Sequence, residues 1–212
     1  AASAARSYRT MGAEIVPLKL PVLQYALPVY YILACAEASS NLGRYDGIRY
    51  GYRTPHYNDV NEMICRTRSE GFGAEVKRRI LLGTYVLSSG YYDAYYKKAQ
   101  NLRGRIVRAF DAAFDACDLL LAPTVPMTAF AQGETAGDPV QTYLTDICTV
   151  PVNITGLPAV SVPCGYDAQG LPIGMQLIGR RFDEGGILAA ARCYEREVFA
   201  PVRREAASGV RV

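Results

Sequence analysis

Three short apolar runs, each beside a segment rich in proline and glycine, limit the folds open to this sequence. They lie at 118–122, 159–162 and 175–178. Continuous apolar runs of about four to eight residues are typical of strands buried on both faces of a sheet. Proline, glycine, threonine and asparagine crowd 123–139 and 149–158, which predicts loops at the strand ends. The sequence therefore predicts an α/β fold whose ligands bind at these strand ends.

The segments between these runs predict helices and one further strand. Apolar periodicity and end signals predict helices at 1–12, 21–42, 73–88, 91–117 and 183–199. A strand is predicted at 13–20 and a polar loop at 44–51. Because the sequence opens inside a helix-strand unit, we expect residues 1–200 to be the C-terminal part of one domain, truncated at its N-terminal side. Residues 201–212 predict a polar tail.

Composition argues against several functional classes. The net charge of +3 is too small to indicate a nucleic-acid surface, so the basic residues between 97 and 108 predict a solvated helix face. No apolar run approaches the ~20 residues of a membrane span, and no secretory signal opens the sequence, which predicts a cytoplasmic protein. One histidine and six cysteines without a C-x-x-C pair predict free, buried thiols and no metal site.

Two sets of motifs resemble a known family. The stretches 118–126, 149–163 and 170–179, in this order and spacing, resemble the amidase signature family. The segments 30–42, 44–51 and 68–84 are similar, more narrowly, to the glutaminase subunits of aspartyl/glutamyl-tRNA amidotransferases. The resemblance covers essentially residues 1–200. It implies the amidase-signature fold, a mixed β-sheet covered by helices, of which this sequence supplies the second half only.

The resemblance also implies an activity. Family members of this kind hydrolyse glutamine to ammonia, which a partner subunit uses to amidate glutamate or aspartate mischarged on tRNA. The other subunits are then the direct partners, and ATP and magnesium serve the partner subunit rather than this chain. The family's two serines and lysine precede the matched region, and no segment here reads Gly-Gly-Ser-Ser-Gly-Gly. We therefore expect no catalytic residue in this chain and no activity from it alone.

Arg79 is the first candidate for substrate binding. The predicted helix at 73–88 turns about 100° per residue, which gives an apolar stripe of Val76, Ile80, Gly83 and Leu87. Arg79 falls beside this stripe, whereas Arg78 points almost opposite. An inward arginine needs a carboxylate partner, either within the fold or on a ligand. The resemblance implies the ligand, with the planar guanidinium binding the α-carboxylate of glutamine.

Two further residues are candidates for the same ligand. Asp146 lies in an otherwise uncharged stretch, where it is either a helix or turn cap or, as the resemblance implies, the counter-charge for the α-ammonium of glutamine. Tyr30 is either a core residue with a satisfied hydroxyl or, as the resemblance implies, a hydrogen-bond donor to the substrate carboxylate. An arginine and an aspartate at the two ends of one pocket would select a free amino acid over a plain amide.

Other polar residues have simpler interpretations, and other functions stay open. His56 is the only histidine and predicts a surface loop, without a nucleophile-elbow motif to support a base. The serines near helix ends predict caps rather than nucleophiles: Ser39, Ser40, Ser88 and Ser89. One alternative function is a stand-alone amidase for small or aryl amides, against which Arg79 and Asp146 argue. The other is a non-catalytic fragment or interaction module, which the absent signature favours.

Overall fold

The structure is a computed structural model that describes residues 1–132 and 143–199. The predicted tail at 201–212, and part of the predicted loop at 123–139, lie outside the described residues. The chain divides into two compact units. The sheet unit comprises Ala1–Leu27 and the chain from Gly104 onward, and the helical unit comprises Pro28–Arg103.

The described residues contain helices and a small sheet, which confirms the α/β class. The α-helices are α1 (Ala2–Thr10), α2 (Ala26–Asn41), α3 (Val60–Gly71), α4 (Ala74–Leu87), α5 (Lys98–Ala113), α6 (Val150–Thr155) and α7 (Glu184–Tyr194). Short 3₁₀ turns lie at Pro21–Tyr25, Leu42–Arg44 and Thr145–Cys148, and π-helical turns at Tyr92–Lys97 and Glu195–Phe199. The strands are β1 (Leu120–Pro123), β2 (Ala159–Tyr166) and β3 (Pro172–Ile178).

The central strand of the sheet is β3, with β1 and β2 on either side in antiparallel pairing. In this register Leu177 lies opposite both Leu121 and Val160. The expected mixed sheet would also need a parallel pairing, and both pairings among the described strands are antiparallel.

Burial differs between the centre and the edges of this sheet. Residues 175–178 are buried throughout, as predicted for a strand covered on both faces. The same prediction is wrong for 159–162, because β2 alternates between a buried Val162 and an exposed Ser161. It is also wrong for β1, whose leucines are half-buried. Both are edge strands of the described sheet, and an edge strand is less completely covered than a central one.

One face of the sheet carries the main apolar core. Helices α1 and α7 supply side chains that pack on β2 and β3, with the buried members Ala4, Val162, Met175, Leu177, Ala191, Tyr194 and Phe199. Tyr8 of α1 stacks on Tyr194 with ring centroids 5.4 Å apart, and its hydroxyl donates to the carbonyl of Ala190 at 3.0 Å. Burial raises the pKa of Tyr8 to about 12.

The other side of β1 borders an apolar cavity of about 690 Å³ within the sheet unit. Residues between 14 and 24 line it together with β1 and α6. The predicted strand at 13–20 is therefore wrong, since these residues form no regular element. Pro17 lacks a backbone N–H for strand pairing, and its neighbours Val16 and Leu18 instead reach the cavity.

Two helices lie where the apolar pattern did not predict them. Helix α6 occupies part of the predicted loop at 149–158; it carries a proline in its first turn, where no N–H is needed, and ends at Gly156 with φ 69°. Helix α3 begins after Asp59, whose carboxylate accepts the backbone N–H of Glu62 at 2.9 Å. The predicted helices at 21–42, 73–88, 91–117 and 183–199 are confirmed, with 3₁₀ or π-helical turns at some of their ends.

None of the helices within 1–132 and 143–199 has the combination of length and apolar composition that a membrane span requires.

Candidate functional site

The candidate site lies where α2 approaches α4 inside the helical unit. Gly83 of α4 faces the backbone carbonyl of Cys35 and the hydroxyl of Ser39 so closely that a Cβ at this position would clash with both. A glycine is needed here because only its missing side chain lets the two backbones come together. The contact sets the distance between the two helices one turn away from Arg79.

Arg79 faces three side chains at this crossing. Its Nε donates to Oε1 of Glu75 at 2.9 Å, within the same helix. The guanidinium carbon lies 5.6 Å from the ring centroid of Tyr31, and the side chain donates a hydrogen bond to Tyr30. A carboxylate and a ring face thus contact the planar cation, with the phenol of Tyr30 beside them.

The surroundings of Arg79 favour its charged form. Partial burial lowers the pKa of the guanidinium, but the hydrogen bonds and charge of Glu75 and the hydrogen bond to Tyr30 outweigh it. The net direction is a pKa above the ordinary value for arginine. The site therefore keeps a permanent positive charge.

The prediction that Arg79 lies beside the packed face of its helix and Arg78 points away from it is confirmed in part. The side chain of Arg79 is 30% exposed and that of Arg78 is 44% exposed. The stripe itself ends differently, because Val86 rather than Leu87 is buried. Arg78 also bonds to Glu75, through its other carboxylate oxygen. The two arginines thus share one counter-ion. This was not expected, because the sequence predicted that they point in nearly opposite directions.

Two of the three predicted binding residues come together. Tyr30 is half-buried on α2 and meets Tyr31 edge to face, with ring centroids 5.2 Å apart. Its hydroxyl contacts Arg79, so it is a polar neighbour of the guanidinium as well as a packed side chain. Whether it binds substrate stays a prediction.

Asp146 belongs to the sheet unit, whereas Arg79 and Tyr30 belong to the helical unit. It is half-buried in the 3₁₀ turn Thr145–Cys148. Its backbone carbonyl accepts from the backbone N–H of Thr149 at 3.0 Å and from the hydroxyl of that residue at 3.2 Å. Its role in binding an ammonium stays a prediction.

A buried glutamine forms hydrogen bonds to this turn and to the end of β1. Gln176 on β3 is 2% exposed, and its Nε2 donates to the carbonyls of Cys148 at 2.7 Å and Pro123 at 3.0 Å. One side chain therefore joins the central strand to the turn that carries Asp146 and to the end of β1.

Glu75 is the site residue that the sequence reasoning missed. The signal was present, since a glutamate four positions before an arginine on one helix is a favourable ion pair. A partner within the fold was one of the two alternatives for Arg79, but no residue was named for it.

The structure describes several of the remaining polar candidates. His56 is exposed in a loop, and the hydroxyls of Ser39 and Ser88 donate to helix carbonyls. All six cysteines are free, but the prediction that they are buried is wrong for Cys65 and Cys193, which are exposed. Among the residues that the structure describes, no group of three or more His, Cys, Asp or Glu could hold a metal ion.

The basic residues at the start of α5 and along it are exposed, as predicted for a solvated face. They are Lys97, Lys98, Arg103, Arg105 and Arg108.

Comparison with known proteins gives consistent results. The A subunit of Glutamyl-tRNA(Gln) amidotransferase from Azoarcus sp. strain BH72 is 58% identical over 189 residues, which are 89% of this chain and 39% of that protein. The protein of the same name from Caldanaerobacter subterraneus subsp. tengcongensis is 54% identical over 208 residues, 98% of this chain and 42% of that protein. The chain spans about 40% of the length of the curated relatives it matches.

A solved structure of a protein with the same name is also similar to this chain. The crystal structure of the A subunit of Glutamyl-tRNA(Gln) amidotransferase from Thermotoga maritima superposes with a TM-score of 0.68 at 38% identity, covering 92% of this chain and 37% of that one. The expected amidase-signature fold is thereby confirmed. The family model described as Amidase matches residues 1–188. The chain therefore belongs to the Amidase family.

Proposed function

We propose that this chain is the glutamine-binding part of the glutaminase subunit of a tRNA-dependent amidotransferase. The whole enzyme would hydrolyse glutamine to ammonia for the amidation of Glu-tRNA(Gln) or Asp-tRNA(Asn). The observation that carries the proposal is the fixed, partly exposed cation of Arg79, held by Glu75 and Tyr31 beside the hydroxyl of Tyr30. Relatives named as one subunit of Glutamyl-tRNA(Gln) amidotransferase, at 54% to 58% identity, support it further.

The α-carboxylate of glutamine is the group that Arg79 binds in this proposal. A guanidinium presents parallel N–H groups that match the two oxygens of a carboxylate, which allows a bidentate pair. Tyr30 adds a neutral hydrogen bond to the same carboxylate. Because Arg79 stays charged, binding should not depend on the protonation of the site near neutral pH.

The α-ammonium of glutamine is assigned to Asp146. With a cation for one end of the ligand and an anion for the other, a plain amide would leave both charges without a partner. This pairing is what would distinguish a glutaminase from an amidase for small or aryl amides.

The chemical step needs residues and partners outside this chain. In the proposal the two serines and the lysine of the family perform hydrolysis, and a partner subunit uses ATP and magnesium to activate the mischarged tRNA. The other subunits, and through them the tRNA, are the macromolecular partners, in the cytoplasm. The 212-residue chain alone is therefore expected to release no ammonia from glutamine, because it lacks the two serines and the lysine that the chemistry requires.

The test is a set of specificity constants for glutamine and for a neutral primary amide, measured in the enzyme restored to full length. Arg79→Ala and Asp146→Ala each remove one charge-assisted contact, which costs about 1.5 to 3 kcal/mol. Glutamine kcat/KM should fall about tenfold to a hundredfold. The neutral amide should lose much less, since neither side chain touches the scissile group.

The control is Arg105→Ala, which removes an exposed cation of α5. It should leave both specificity constants unchanged. If glutamine and the neutral amide fall together in Arg79→Ala and Asp146→Ala, the two residues are structural and the proposed amino-acid specificity is wrong.

A further inference from the structure

Glu75 lies between two arginines, and its two oxygens serve different partners. Oε1 accepts from Nε of Arg79 at 2.9 Å, while Oε2 accepts from Nη1 of Arg78. Arg78 thereby holds one side of the carboxylate while the other side faces the candidate site. Arg78 therefore affects the orientation of Arg79 indirectly, through the carboxylate of Glu75.

The choice of nitrogen matters for ligand binding. A guanidinium has five N–H donors, one on Nε and the rest on the two Nη groups. Glu75 takes the Nε donor of Arg79. With an acceptor at Nε, the edge formed by the two Nη groups remains for a ligand. A carboxylate that approaches this edge end-on can accept two parallel N–H···O bonds.

The charges of this cluster also suit an anionic ligand. Arg78 and Arg79 both bond to Glu75, so the single carboxylate is shared between two guanidinium groups. Tyr30 and Tyr31 lie beside Arg79, and burial raises the pKa of the nearby Cys35 thiol. Glu75 can thus hold Arg79 without neutralising the site.

We infer that Glu75 is a positioning residue for the substrate carboxylate: by accepting the Nε–H it aims the Nη edge of Arg79 at the ligand, and Arg78 holds it in place. The inference rests on the proposed function, since it assumes that Arg79 binds the carboxylate of glutamine. It adds a specificity determinant that acts through Arg79 and touches no ligand atom.

An ordinary surface ion pair is the competing explanation, and the chain offers a matched control for it. Lys97 and Asp93 form a pair with the same spacing on an exposed helix, with side chains 66% and 80% exposed. Such an exposed pair contributes little to stability and does not orient a ligand-binding group. The side chain of Arg79 is only 30% exposed and rests on Tyr31.

The experiment measures KM and kcat for glutamine and for a neutral primary amide in the full-length enzyme. Glu75→Ala should raise KM for glutamine about tenfold, the scale of one lost charge-assisted hydrogen bond, with kcat and both constants for the neutral amide nearly unchanged. Glu75→Gln keeps an oxygen that can accept the Nε–H, so it should recover most of the loss. Asp93→Ala should change nothing.

The double variant separates this inference from the proposed function. Because Glu75 acts through Arg79, adding Glu75→Ala to Arg79→Ala should cause no further rise in KM. If Arg79→Ala raises KM for glutamine but Glu75→Ala does not, or if Glu75→Gln is as poor as Glu75→Ala, the positioning role is overturned and the proposed function stands. If Arg79→Ala leaves KM for glutamine unchanged, the proposed function itself fails.

Discussion

The sheet unit and the helical unit differ in their internal packing. In the sheet unit, Met175 and Leu177 are buried on the central strand, and the buried Gln176 has both of its described hydrogen bonds to backbone carbonyls. In the helical unit, two helices touch through Gly83, and the charged cluster beside that contact stays partly exposed. The sheet unit thus shows a core of large apolar side chains, whereas in the helical unit a charged site lies one helical turn from a close backbone contact.

The largest effect on stability is expected from the core of the sheet unit. Met175 is fully buried, so Met175→Ala removes packed atoms and leaves a cavity, at a cost of about 2 to 5 kcal/mol in the free energy of unfolding. Urea unfolding of the 212-residue chain measures the loss. Amide exchange should accelerate in β2 and β3 more than in α2 and α4.

The matched control is Met127→Ala, at a position that is 57% exposed. It should shift the urea midpoint very little, since little packing is lost. Equal effects from the two methionine variants would mean that the sheet does not depend on the burial of its central strand.

A smaller but more local effect is expected at the helix crossing. Gly83→Ala places a methyl group against the carbonyl of Cys35. Overpacking of this kind costs about 1 to 3 kcal/mol, more than the roughly 1 kcal/mol that alanine adds in helix propensity. The urea midpoint should fall, and amide exchange should accelerate in α2 and α4 while the sheet is spared.

Gly104→Ala is the control for this change. Among the described residues, a Cβ at that helical position meets Nη1 of Arg108 at 3.6 Å and nothing closer, so the same substitution should stabilise by up to about 1 kcal/mol. A stabilising Gly83→Ala would contradict the close contact between α2 and α4.

The smallest effect, without any change in stability, is a difference in thiol reactivity. Cys65 and Cys193 are exposed, whereas Cys35 is buried at the helix crossing and its pKa is raised by burial. A thiol reagent near pH 8 should therefore label the two exposed cysteines rapidly and Cys35 slowly, because the thiolate is the reactive form. Mass spectrometry of the labelled peptides measures the order. Rapid labelling of Cys35 in the folded chain would mean that α2 and α4 separate readily.

Sequence reasoning succeeded where one residue pattern had one physical meaning. The run at 175–178 was predicted as a strand buried on both faces, and it is the central strand of the described sheet. The run at 159–162 has a polar Ser161 at its third position, a sign of alternation that the apolar residues around it outweighed. Apolar content cannot distinguish an edge strand from a central one, because that depends on which strands lie alongside.

The helix ends and the candidate site show a similar limit. Helix α3 has a capping aspartate and an acidic first turn, but its weak apolar pattern hid it. Arg79 was correctly predicted to lie nearer the packed face than Arg78, yet Glu75 was missed although it bonds to both. The spacing of Glu75 and Arg79 allows an ion pair within the helix, but spacing alone does not say whether the partner of Arg79 is that glutamate, a ligand or both.

The π-helical turn Glu195–Phe199 has a consequence for chain length. Phe199 follows Tyr194 by five positions, the spacing of a π-helical hydrogen bond, and both rings reach the same core. In angular terms the additional residue turns the chain by about 100°, so Phe199 takes the direction that the preceding residue would have in an uninterrupted α-helix. Removing one residue here would restore α-helical phase while everything upstream kept its orientation. Phe199 would then stand four positions after Tyr194, the α-helical spacing, so its ring would keep its direction toward the core.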